Sequence, residues 1–517
     1  MPELAPTRPD ALTRTLQRGE IDESTYALER ARALFDLDGV RERFGAVRGA
    51  DPRGATMILR DLVARLDELG PAQLRVARSV LARPTDGAAD PWGDGYLVPE
   101  ATPLCSAHGC VHYVTSSLDA PDSIDTNLNG IPDYVEAASF TLEQVWATEV
   151  TAYGYRAPKS DLTSANNGGN ALIDVYITNL GDQGLYGYCT TDDPNAYSGV
   201  YPYFDFSAFC VVDNNYAEFP PPSTGLPGLQ VTMAHEFFHA VQFAYDALED
   251  LWFMESTSTW MEDEVYDAVN DNWQYLFYSP LTEPWVPLDY NNTFNVYGDW
   301  IFPRFLEESS GSPTIIRDAW ELADASAVGP DEYGLRAYAK VIQSLGSKLR
   351  WAFADFAMFN DAPGAYYEEG AAYPFPPYSA RWKVTRGNGG AGGFEFLDHL
   401  TNSYIWFIPG RGVTSTAKLW VVMDGPAYRT GTEASVVVFF ASGKTRFFPL
   451  SVNKKGVAER VVPFGKGKVV EVDLVMTNAS NRLVNGACWV DPNWDYSCAG
   501  YPKDDGLRFD YAAILLQ

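Results

Sequence analysis

Positive charge is what this chain has least of. Its 38 lysines and arginines face 68 aspartates and glutamates, a net charge of −30 over 517 residues, and a surface that acidic repels nucleic-acid phosphates and anionic membranes. Neither is expected as a partner. Long apolar runs are missing too: nothing approaches the roughly 18 apolar residues of a membrane span, so no membrane insertion is expected and the chain should be soluble. The opening Met1-Pro2-Glu3-Leu4-Ala5-Pro6 has no basic start followed by an apolar core, so no signal peptide is expected in the chain as it stands. There is no Cys-x-x-Cys, Gly-rich phosphate loop, Gly-x-Ser-x-Gly elbow or catalytic-cysteine context. Their absence sets aside thiolate zinc sites, dithiol redox chemistry, phosphate cradles and serine or cysteine hydrolases.

Cysteine is sparse, and its six residues fall as close pairs: Cys105 with Cys110, Cys189 with Cys210, and Cys488 with Cys498. Local pairing is the simplest connectivity, and it predicts a secreted or extracytoplasmic, oxidising setting.

What is present is 46% hydrophobic and 14% aromatic, enough for two or three domains with their own cores. Residues from about 8 to 82 carry helical periodicity with charged faces, as in residues 26–35 and 58–66, and the pattern breaks at a Pro- and Gly-rich linker from Arg83 to Gly93, which predicts a helical N-terminal region over 1–95. Such a region is either a propeptide or a packing module. From 96 the pattern turns to strands (111–115, 172–177, 209–213) and then to helices near 229–248, 252–269, 297–308, 313–325, 330–345 and 348–359. A Gly-rich stretch, 387–393, predicts a flexible boundary, and short strands beyond it predict an all-β sandwich over 394–517. The expected class is α+β, with the middle domain spanning 96–386.

Histidine is rarest of all, at five residues, yet two stand four apart in His235-Glu236-Phe237-Phe238-His239. Four residues advance a helix by about 400°, so both imidazoles lie on one face and reach one cation, with a carboxylate beside them to act as general base. A catalytic zinc needs a third protein ligand and an open position for water. None of the other histidines, His108, His112 and His399, is suitably placed, and the helix that follows offers Glu255, with Glu262 seven residues on, able to orient a ligand histidine.

This arrangement resembles the gluzincin metallopeptidases, the thermolysin and aminopeptidase group, in which a glutamate on a helix after His-Glu-x-x-His completes the zinc site. The resemblance implies a zincin-like domain, a mixed sheet plus a helical half, that hydrolyses peptide bonds with zinc as cofactor, Glu236 as general base and a protein or peptide as substrate. It also implies a tyrosine that stabilises the oxyanion. Tyr297, in Tyr297-Gly298-Asp299-Trp300, resembles that segment, with Tyr266 or Tyr290 as alternatives. The aminopeptidases' Gly-rich exopeptidase motif is absent, which favours an endopeptidase over an exopeptidase. Over most of 96–517 the chain is similar to poorly characterised secreted bacterial metalloproteases with a β-sandwich tail. A zincin-like core that has lost activity and binds a surface polymer is the alternative.

A second motif, residues 125–136, places oxygen donors Asp125, Asn127, Asn129, Asp133 and Glu136 at loop positions 1, 3, 5, 9 and 12, with Gly130 at 6 and the Ile131 carbonyl at 7. That spacing predicts a structural calcium loop.

Overall fold

The computed structural model describes residues 9–49, 51–89, 95–193, 204–291, 293–326, 329–485 and 495–517. The chain is α+β. It opens with five helices: α1 (Ala11–Gln17), α2 (Glu23–Phe35), α3 (Leu37–Phe44), α4 (Ala55–Val63) and α5 (Pro71–Val80). Asp10 and Asp22 start α1 and α2 by accepting from the Thr13 and Thr25 amides, which satisfies donors that a helix start leaves open. The apolar stripe of α4 (Leu59, Leu62, Val63) and that of α2 (Leu28, Ala31, Leu34) belong to the same hydrophobic core as the central sheet. The N-terminal region is therefore packed against the body.

The central sheet contains β1 (Leu104–Cys105), β2 (Gly109–His112), β3 (Ile173–Thr178), β4 (Gly187–Thr190) and β5 (Phe209–Asp213), in the order β1-β2-β3-β5-β4. β2, β3 and β5 are parallel; β1 and β4 run antiparallel to their neighbours and close the two edges. Every residue of β3 is buried, as expected where both faces of a parallel strand are covered. Disulfides Cys105–Cys110 and Cys189–Cys210 join directly opposed residues of β1/β2 and β4/β5. Cys488 of the third expected pair lies outside the described residues.

Against the sheet pack α6 (Asp133–Trp146) and α7 (Leu226–Phe243), and α8 (Leu251–Tyr266) lies against α7. α7 stops at Phe243, short of the expected 248, because the chain folds into a turn in which Asp246 accepts the Leu248 amide. The helix expected over 297–308 is two, α9 (Asn295–Gly298) and α10 (Ile301–Ser310). Between them the Trp300 and Phe302 amides bond three residues back, to Tyr297 and Asp299, which tightens the chain. Three more helices follow, α11 (Thr314–Leu322), α12 (Gly334–Ser344) and α13 (Leu349–Asn360). Among the described residues, no helix is long and apolar enough to cross a membrane.

The C-terminal region is β-rich. One sheet has β6 (Ala380–Val384), β8 (Thr401–Pro409), β10 (Thr432–Phe440), β11 (Thr445–Pro449) and β13 (Val469–Asn478), ordered β11-β10-β13-β8-β6. The second has β7 (Gly390–Leu397), β9 (Lys418–Asp424), β12 (Val457–Pro463) and β16 (Leu507–Leu516), ordered β12-β9-β16-β7; β14 (Leu483–Asn485) and β15 (Gly500–Pro502) form a small pair. Ile405, Val436 and Leu474 of the first sheet share a core with Leu419, Val421 and Phe509 of the second.

Two boundaries differ from expectation. The β-rich region starts at Ala380, not 394, since β6 pairs with β8. Gly390–Gly393, expected as a flexible linker, form half of β7, paired with β16. Glycine is required there by close approach, not freedom: a Cβ at Gly390 would lie 2.3 Å from the Ala513 carbonyl oxygen and one at Gly392 2.9 Å from that of Tyr511.

The β-rich region docks on the body through α13 and through His399. The buried His399 ring bonds Asp289 of the body and Asp505 before β16, each at 2.7 Å. Burial lowers a histidine's pKa, but the two carboxylates outweigh it and raise His399 to about 10. The stability from this clasp is therefore complete below the unfolded value of about 6.5 and lost as pH rises through the folded one. His399→Gln should lower stability by roughly 3 kcal/mol at pH 6, and melting curves across pH should show the gap to wild type closing near pH 10. A gap independent of pH would count against a charged clasp.

Candidate metal centre

The centre forms where α7 crosses α8. α7 is apolar nearly all round, and its length from Gly228 to Phe243 is buried except Gln230; this places His235, Glu236 and His239 at 0% exposure. The edge strand β4 passes tightly over the helix at Gly187, where a Cβ would meet Thr232 Cγ2 at 2.7 Å and Glu236 Cγ at 3.3 Å. Only glycine lets strand and helix approach this closely.

Three side chains converge. His235 Nε2 lies 3.1 Å from His239 Nε2, and Glu255 Oε2 lies 3.2 Å from the first and 3.5 Å from the second. A tetrahedral zinc at its usual bond lengths separates its ligands by roughly 3.3 Å, so these atoms sit at the spacing such an ion requires. Electrostatics point the same way. Burial would lower the His235 pKa, but its bonds to Glu255 and Glu262 raise it to about 10. Burial would raise that of Glu255, but His235 and His239 bring it down to about 2. The pocket favours added positive charge.

Each imidazole is aimed by its other nitrogen. His235 Nδ1 bonds Glu262 Oε1 at 2.8 Å, and His239 Nδ1 bonds Gln242 Oε1 at 2.7 Å. Gln242 is fixed in turn, its amide donating to the Met254 carbonyl, Thr257 and Ser258. Glu262 is held by Arg53, which also pairs with Asp271. Gln242 was missed in the sequence, although a polar residue three positions after His239 on an apolar helix is a readable signal. Arg53 and Asp271 carried no local signal; only folding brings them to Glu262.

Glu236 is bonded on one side alone. Its Oε2 accepts the Thr56 hydroxyl at 2.6 Å, while Oε1 is buried with no hydrogen-bond partner among the described residues. Tyr297 reaches the same space, its hydroxyl 3.5 Å from Glu255 Oε1 and its ring 6.3 Å from that of His235. Of the alternatives, Tyr266 faces Thr141 and Glu149, and Tyr290 packs on Tyr496.

In the 125–136 loop, Asn127 and Asn129 both direct their amides at Glu136, and Asp125 accepts the Asn129 and Gly130 amides. Asp125, Asn127, Asn129 and Glu136 are thus gathered. Asp133 is not: it opens α6 and turns both oxygens back on the amide and hydroxyl of Thr126 in the loop. Ile131 is tied to the same loop through its amide, which donates to Asn129 Oδ1 at 2.8 Å. His108 pairs with Glu143 and stacks on Trp146; His112 is bonded by Glu100 and Asp174. A second acidic group, Asp263, Asp267 and Glu369, is compensated by Arg304 on Asp263.

No family model matches the chain, and no curated protein does. Among solved structures it is similar, at 10% identity and a TM-score of 0.14, to a family GH115 4-O-methyl-alpha-glucuronidase with specificity for decorated arabinogalactans. The match covers 56% of this chain and 38% of that one, and a likeness so slight carries no argument about either fold or chemistry.

Proposed function

We propose that this chain is a secreted, zinc-dependent peptidase of gluzincin type, acting as an endopeptidase on protein or peptide substrates. One observation carries the reading: His235, His239 and Glu255 converge at the ligand spacing of a tetrahedral zinc, and Glu236 Oε1 is left unbonded next to them. An orphaned buried carboxylate oxygen calls for a partner, and a water molecule is the one this chemistry supplies.

Zinc bound here would acidify a water ligand and polarise a substrate carbonyl. The protein's own groups do the rest. Glu236 Oε1 takes the proton from the attacking water and hands it to the leaving amine. Tyr297, whose pKa burial pushes well above the ordinary value, stays protonated and donates to the oxyanion that develops on the substrate. Glu262 and Gln242 hold the two imidazoles so that Nε2 faces the centre. We assign a structural calcium to the 125–136 loop, held by Asp125, Asn127, Asn129 and Glu136.

Glu236→Gln should keep about one zinc per chain and lose cleavage of an unfolded protein by about 10²-fold or more. Equal cleavage by the variant would overturn the assignment of the base. Glu255→Ala should strip zinc, whereas Gln242→Leu should weaken zinc binding by about 10- to 100-fold; metal analysis after dialysis reads both, and unchanged zinc in Glu255→Ala would move the third ligand elsewhere. A calcium-selective chelator should lower the melting temperature of wild type but leave that of Asp125→Ala where it already lies. A variant just as chelator-sensitive as wild type would rule this loop out.

A further inference from the structure

The zinc-site residues are sealed, and what seals them is the N-terminal region. Two backbone donors at the edge strand are taken by it. The Tyr186 amide donates to the Pro52 carbonyl at 3.0 Å, and the Cys189 amide donates to Thr56 Oγ1 at 2.8 Å. The same Thr56 hydroxyl donates to Glu236 Oε2. Between those two contacts the side chain of Arg53 enters the body, pairing with Glu262 and Asp271 and lying over the Tyr186 ring at 4.5 Å. A Cβ at Gly54 would stand 3.6 Å from the Tyr297 hydroxyl. Residues 51–56 thus pack against β4, bond the proposed general base and the residue that orients His235, and place Gly54 beside Tyr297.

Residues 52–54 form a turn, with the Gly54 amide on the Asp51 carbonyl, and Ala55 and Thr56 open α4, so one turn carbonyl and one helix hydroxyl take the two amides without adding a strand. An extended peptide substrate of the proposed centre would use those same amides and the space in front of Glu236. Charge holds the region down. Residues 1–95 carry 14 arginines, no lysine and 16 acidic residues, close to neutral, while the rest of the chain has 24 basic residues against 52 acidic. Three of those arginines are buried in the body: Arg53, then Arg60 on the Glu249 carbonyl and Met254, then Arg83 between Asp161, Asp174 and Asp192.

We infer that residues 51–56 are a built-in blocker of the proposed zinc site, occupying the substrate's place along β4 until the N-terminal region is cut from the body and leaves. The inference rests on the peptidase reading for what it regulates, but it is tested separately, through access to the metal. The full chain is made with a site-specific protease sequence in place of residues 90–94 and loaded with zinc. Zinc extraction by excess chelator and cleavage of an unfolded protein are measured before cutting, and after cutting and separation of the fragment.

A site open in a tenth of molecules or fewer reacts at least about tenfold more slowly than an open one, so both rates should rise by at least that factor. Equal extraction before and after separation overturns the blocker. Faster extraction with no cleavage in either form keeps the blocker and overturns the peptidase. In case the separated body loses its fold, Arg83→Ala in the uncut chain removes a tie of the N-terminal region to Asp161, Asp174 and Asp192, none of which touches His235, His239 or Glu255. Extraction should quicken there also, and an unchanged rate counts against the blocker.

Discussion

Two imidazoles and a carboxylate facing one another in a dry core are the constraint on which the rest of this structure depends. Charged groups taken out of water are tolerated only when each has a partner, and here the partners form a chain. Glu255 meets both histidines; Glu262 and Gln242 take the outer ring nitrogens; Arg53 and Asp271 balance Glu262. α7 and α8 must cross where these atoms meet, and the edge strand must carry glycine at 187 to pass over them.

The same economy explains why the N-terminal helices share the core of the body. Arg53, Arg60 and Arg83 are buried, and each needs acceptors that only the body supplies. Docking satisfies both sides at once: the arginines find carboxylates and carbonyls, and carboxylates such as Asp161 and Asp174 find a cation. A region attached by such contacts can be tightly held and yet separable, because once it departs water can solvate the charges on both faces. The apolar stripes of α2 and α4, which share the core of the body, add to the attachment and would be exposed to water on departure.

Much of the centre was legible in the chain. His235, Glu236 and His239 share a helical face by spacing alone, and Glu255 and Glu262 are seven residues apart on one helix, so both can face the first. The strands at 173–178 and 209–213 announced themselves through continuous β-branched and aromatic residues. The brief edge strand at 187–190 did not, since four residues containing glycine, threonine and cysteine leave no periodicity to read. The 387–393 stretch was misleading for a physical reason: glycine marks close approach as readily as it marks flexibility, and sequence does not separate the two.

Sequence by itself determined the local chemistry: which residues could bind a cation, which helices carry them, and which cysteines stand close enough to pair. Those properties follow from spacings of a few residues, where backbone geometry fixes the answer. Tertiary structure decided that Thr56 reaches Glu236 across 180 positions, that Arg53 supports Glu262, and that residues 51–56 pack against β4. Such contacts depend on how the buried surfaces of distant elements fit together, and no local pattern encodes that fit.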